Sequence, residues 1–169
     1  MTENGHKDVV NMKLVQQNKK QQGRWMLTLL FGVYLLVLLR ITVFREDFSF
    51  DHLMENGNIN SELFTAYIPF LRGGFIGLFI YLFVGNIVWF VPLGGYLVWR
   101  FPQCGVWLAT AAGFLLSLAI ETSQYVFGVG VTELDDLVLN TAGTFLGAVF
   151  IKGIERCLKK RSNRKKKET

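Results

Sequence analysis

Six polar side chains in this 169-residue sequence stand inside long apolar blocks: Arg40, Asn86, Glu121, Gln124, Asp136 and Asn140. In hydrocarbon an ionisable group costs about 2.5–3.5 kcal/mol even on the lenient insertion scale, so each one requires a reason. Glu121 and Asp136 have the right chemistry for proton transfer, because two carboxyls near one pocket divide acid and base roles when their environments differ. The amides Asn86, Gln124 and Asn140 each carry donors and an acceptor, and Arg40 is a fixed cation. Spacing groups them. Ser117, Glu121 and Gln124 follow an i, i+4, i+7 pattern and share one helix face. Asp136, Asn140, Gly143 and Gly147 form a second stripe, with small residues following the polar ones.

These residues belong to elements long enough to cross a bilayer. Half of the chain is apolar and 14% is aromatic, with the apolar residues massed in a few blocks rather than broken every turn. The pattern predicts an all-α integral membrane protein with four transmembrane helices, at about 25–44, 73–99, 106–127 and 135–154. The second is longer than a span needs, and Pro92 followed by Gly94-Gly95 predicts a kink in it. Residues 1–23 read as a polar, basic, loosely helical or disordered arm, 24–154 as the membrane domain, and 155–169 as a basic tail. The basic region is long and no small-residue cleavage site follows the first apolar block, so that block reads as a span and not as a leader. Residues 46–72 form an acidic loop with a turn at Asn56-Gly57-Asn58 and an apolar end, Phe64 to Phe70, suited to the interface.

Charge gives the orientation. The net charge of +5 is segregated, with five basic residues before the first span, Arg100 between the second and third, and nine in the tail. Placing both termini in the cytoplasm puts fifteen of the eighteen Lys and Arg residues inside. The basic tail is then juxtamembrane charge rather than a nucleic-acid surface. Cys104 and Cys157 fit no metal-ligand spacing and fall on the reducing side, and His6 and His52 are isolated, so no disulfide, metal or cofactor is expected. With this topology all four helices place their polar groups in the outer half of the bilayer. Two readings of that cluster are open. In one, Glu121 pairs with Arg40, the amides hold helices together, and Asp135 and Asp136 favour the start of the fourth helix through its dipole. In the other, the cluster is a functional site facing the outer leaflet. The Gly143–Gly147 pair reads as close packing within the bundle.

Four ordered strings resemble the VanZ-like family. Asn86-Ile87-Val88-Trp89-Phe90-Val91-Pro92-Leu93-Gly94 is similar to its N-x-x-x-F-x-P-x-G segment, and Glu121-Thr122-Ser123-Gln124 to its E-x-x-Q segment. The run from Thr132-Glu133-Leu134-Asp135-Asp136 to Asn140-Thr141-Ala142-Gly143 resembles its acidic D-x-x-D…N-T-x-G segment, and Ile68-Pro69-Phe70 its I-P-F element. The strings span residues 68–147. Glu133 stands where the family usually has Asp, which keeps the charge, and Ala66 stands where many members have Asn.

The resemblance implies a link to teicoplanin, a lipid-tailed glycopeptide that acts on cell-wall precursors outside the membrane of Gram-positive bacteria. The leading expectation is a non-enzymatic plasma-membrane protein that alters how such antibiotics, or lipid-linked envelope precursors, engage the outer leaflet. Its polar core would be Asn86, Glu121, Gln124, Glu133, Asp136 and Asn140 with Arg40; Pro69, Phe90, Pro92, Gly94, Gly143 and Gly147 would shape the scaffold. The alternatives are an intramembrane enzyme using Glu121 and Asp136 on a lipid-linked substrate, a small oligomeric transporter or flippase, and an accessory factor for other envelope proteins. Against the enzyme stand the lack of a Cys or His catalytic arrangement and of a phosphate loop; Ser117 and Ser123 have no evident base.

Overall fold

The computed structural model describes residues 3–44, 48–50, 57–129, 131–165 and 167. Arg45, Glu46 and Asp47, and the stretch 51–56 with His52, Glu55 and the turn residue Asn56, lie outside the described residues. The helices are α1 (Glu3–Thr42), α2 (Ile68–Arg72), α3 (Ile76–Arg100), α4 (Val106–Phe127) and α5 (Leu134–Lys165). Among the described residues four of them, α1, α3, α4 and α5, are long and apolar enough to cross a membrane.

The boundaries differ from expectation at three places. The arm expected before the first span is helical from Glu3 and continuous with it, and the basic tail continues α5 as far as Lys165. The second span starts three residues later than expected. Gly73 and Gly74 close α2, with the Gly73 N–H donating to the Pro69 carbonyl at 2.8 Å and Gly74 at φ 76°, before α3 begins. Pro69 sits in the first turn of α2, where its missing N–H costs nothing. α3 runs unbroken through Pro92. α4 has the expected limits and ends on Gly128, left-handed at φ 64°, with the Val129 N–H on the Gln124 carbonyl at 2.9 Å.

One element departs from the helical plan. β1 (Asn58–Asn60) pairs in parallel with β2 (Val131–Glu133), in the register Asn58–Val131, Ile59–Thr132 and Asn60–Glu133. Three residues per strand give too short a pattern to separate from loop in the sequence. The Gly57 N–H donates to the Tyr125 carbonyl at 3.1 Å, which ties the start of β1 to the end of α4.

The chain divides into two compact units, Met1–Leu38 and Leu39–Thr169. In the first, α1 exposes Leu29, Leu30, Val33 and Leu36, as a helix surrounded by lipid does. The second is built on α3, α4 and α5, with α5 packed against both others. Its tightest seam is backbone against backbone. A Cβ at Gly143 would overlap the Ile87 carbonyl, one at Gly147 the Val91 carbonyl, and one at Gly94 the Thr144 carbonyl. Phe90 and Val98 are buried, and Val98, Cys104, Ala109 and Ala148 form a core toward the Arg100 end.

Gly143→Ala is expected to lower the Tm of the detergent-solubilised protein. The overlap is with rigid backbone, so overpacking of about 1–3 kcal/mol outweighs the helix-propensity gain of roughly 0.8–1 kcal/mol. Gly85→Ala, with no atom near the added methyl, should leave Tm unchanged or raise it. Equal responses of the two variants in a thermal melt would contradict the seam.

Candidate functional site

The polar residues gather at the end of the α3–α4–α5 bundle that carries the strand ladder. α5 begins there with Asp135 and Asp136 in its first turn, where the helix dipole favours negative charge. The Asn86 Nδ2 of α3 donates to Asp136 Oδ1, joining two helices. Farther along α5, Asn140 Nδ2 donates to Ser117 Oγ of α4 at 3.0 Å, and Thr144 Oγ1 donates to the Asn140 carbonyl at 3.0 Å. Asn140, Ser117 and Thr144 are all buried, so each bond satisfies groups that water does not reach.

Glu121 organises the strand end. Its Oε2 accepts the Glu133 N–H at 3.0 Å, and its carbonyl accepts the Thr132 hydroxyl at 3.2 Å. One residue of α4 thus holds β2 by two bonds. Gln124, one turn on, donates from Nε2 to the Thr42 carbonyl at the end of α1, at 3.0 Å. The Arg40 guanidinium donates to the Phe44 carbonyl, and among the described residues it forms no ion pair with Glu121. That pairing, one of the two readings the sequence leaves open, is not the one these side chains make. Glu121 is 4% exposed while Arg40 lies at the surface, so the carboxyl turns to a backbone donor and the guanidinium to the frayed end of its own helix.

Three further groups lie in this cluster, of which the sequence pattern places Ser117 on the face of Glu121 and Asp135 at the helix start. Asp135, read as a helix-start residue, is 1% exposed, and its Oδ1 accepts the Phe64 N–H at 2.8 Å. That bond holds Phe64 in the left-handed region at φ 61°, a conformation costing about 1–2 kcal/mol for a residue with a Cβ. Tyr67 is buried among Phe64, Phe79 and Phe83, with ring centroids 5.7–6.4 Å from its own. Burial, and then the charges of Asp136, Asp135 and Glu133, push its phenol up to about 12, against a hydrogen bond with Asn86 that lowers it. Ser117 completes the set as the partner of Asn140. A polar residue one helical turn from Glu121 was the only sequence signal for Ser117, and none marked Tyr67.

Among the described residues Glu121 Oε1, Gln124 Oε1 and Asp135 Oδ2 are buried with no hydrogen-bond partner. Among the described residues no three His, Cys, Asp or Glu side chains converge to hold a metal ion. Pro69, Phe90, Pro92, Gly94, Gly143 and Gly147 lie outside the polar cluster, the glycines in the α3–α5 seam.

The VanZ/LLP1 family profile matches residues 31–156. The chain is similar to "Protein VanZ" of Enterococcus faecium, with 28% identity over 120 residues, which is 70% of this chain and 68% of that protein. No solved structure matches it.

Burial, followed by the Asp135 charge, raises the Glu133 carboxyl above its ordinary value, with a hydrogen bond from Asn60 opposing the shift. The folded protein holds this proton more tightly than the unfolded chain, so stability from Glu133 is full below the ordinary value and falls as pH rises through the raised one. Glu133→Gln should therefore melt at or above the wild-type temperature near neutral pH, with the advantage vanishing below about pH 4. An advantage that grows on acidification would reverse the sign assigned here.

Proposed function

Because the chain belongs to the VanZ/LLP1 family, we propose that it acts at the outer leaflet of the cell envelope, without catalysing a reaction, and lowers susceptibility to teicoplanin and other lipid-tailed glycopeptides. The observation that carries this reading is the gathering of Asn86, Glu121, Gln124, Asp135, Asp136 and Asn140 at one end of an otherwise apolar bundle. Polar side chains at such depth persist where they meet each other or a ligand. The Lys and Arg distribution supports cytoplasmic termini, which puts this end on the outer side. The apolar faces beside it, with Ile68, Leu71, Leu134 and Val138 exposed, suit the acyl chain of a lipid-tailed molecule as well as they suit bilayer lipid.

In this mechanism the protein works by binding. Glu121 and Asp136 present carboxyls to a polar headgroup, Asn86 orients Asp136, and Asn140 with Ser117 fixes the depth at which α4 and α5 meet. A lipid-tailed molecule held here is withdrawn from the surface where cell-wall precursors stand.

Expression in a susceptible Gram-positive host should raise the inhibitory concentration of teicoplanin and leave that of vancomycin unchanged. A Glu121→Gln, Asp136→Asn variant at matched membrane levels should lose the protection. Protection against neither drug by the wild type, or full protection by the variant, would refute the reading. Orientation has a separate check at the exposed Cys157, in a Cys104→Ala background. A membrane-impermeant maleimide should label it only after the cells are permeabilised; labelling of intact cells would put the tail outside.

A further inference from the structure

We propose that the acceptor cluster at the strand end binds the primary ammonium group of an amphiphile. This deepens the reading of the same cluster given above and rests on it for the placement of the site.

The donors of the cluster are already engaged. Asn86 Nδ2 is on Asp136, Gln124 Nε2 on the Thr42 carbonyl, the Glu133 N–H on Glu121 Oε2, and the Phe64 N–H on Asp135 Oδ1. Among the described residues the second carboxyl oxygens of Glu121 and Asp135 and the amide oxygen of Gln124 have no partner, and these residues are 4%, 1% and 8% exposed. Among the described residues the unmet side-chain atoms are carboxyl and amide oxygens. A ligand that satisfies them brings hydrogen-bond donors and no acceptor of its own, which describes an ammonium: three N–H donors and a positive charge.

Charge separates an ammonium from a neutral sugar or alcohol. Among the described residues the charged groups acting on Glu121 are Asp136 and Glu133, and those acting on Asp136 are Glu133 and Asp135. All are carboxyls, so a cation gains from each of them and a hydroxyl does not. The surroundings supply the rest of the ligand. Val131, Leu134 and Val138 on one side, and Ile68 and Leu71 on another, expose apolar surface beside the cluster, where an acyl tail lies along the protein. Beside the cluster the β1–β2 ladder is short, with three residues per strand.

The test uses the full chain in maltoside micelles, with Tm read from intrinsic tryptophan fluorescence. Dihexanoyl phosphatidylethanolamine should raise Tm by roughly 2–4 °C at saturation. Dihexanoyl phosphatidylcholine, whose quaternary nitrogen has the same charge and no N–H, should not. Free ethanolamine should not either; an equal shift from it overturns the amphiphile and assigns a soluble amine. Glu121→Gln and Asp135→Asn should each reduce the shift, and Glu155→Gln, at the far end of α5, should keep it. Equal shifts from the two lipids, no shift from the ethanolamine lipid, or an undiminished shift in both site variants would overturn the proposal. Where a site variant fails to fold, the two-lipid comparison on the wild type still decides. Loss of lipid binding with teicoplanin protection intact removes the ligand class alone, whereas binding without protection removes the resistance reading and keeps the ligand.

Discussion

The close approach of α3 and α5 sets the terms for the rest of the second unit. Gly143 and Gly147 lie against the carbonyls of Ile87 and Val91, and Gly94 answers from α3 against Thr144. Lipid tails are as apolar as the helices, so burial of apolar surface does little to drive these helices together; van der Waals contact and polar bonds do it. Glycine lets two backbones meet, and the meeting fixes the axial register. Asn86 is the neighbour of Ile87, and in that register it meets Asp136. A shift of one helical turn would separate the amide from the carboxyl.

From that register the polar end follows by short steps. α4 joins α5 through Ser117 and Asn140, which places Glu121 below the start of α5. Glu121 then holds β2 by its carboxyl and its carbonyl, and β2 carries β1. Asp135 meets the returning chain at Phe64. Each buried bond leaves less freedom for the next, since a donor without a partner in this setting costs about 1–3 kcal/mol. The arrangement satisfies backbone donors with carboxyl oxygens and retains carboxyl oxygens to spare. Among the described residues those spare oxygens contrast with the paired Asn140–Ser117 bond between α5 and α4.

The α3–α5 seam and the 57–67 segment are held by different kinds of contact. The seam is glycine on backbone, with almost no room for change. The 57–67 segment is held by a three-residue ladder, the Gly57 bond, the Asp135–Phe64 bond and the packing of buried Tyr67 on Phe79 and Phe83.

Much of this was legible in the sequence. Four apolar blocks gave four helices because the bilayer fixes the length of a span, and the limits of α4 follow from a glycine at each end. Helical periodicity placed Glu121 with Gln124 and Asp136 with Asn140 on shared faces, because 3.6 residues per turn is a local property. The match of the chain to the VanZ/LLP1 family was legible in its motifs for the same reason: they are short and ordered. Tertiary structure alone decided the partners. Glu121 takes the Glu133 N–H and not Arg40, since a long-range partner depends on where two chain segments meet in space. Asp135 and Asp136 are adjacent in sequence and identical in type, yet one bonds a loop N–H and the other an amide on α3. Successive helical residues point about 100° apart, and only the packing of neighbours determines what each direction contains.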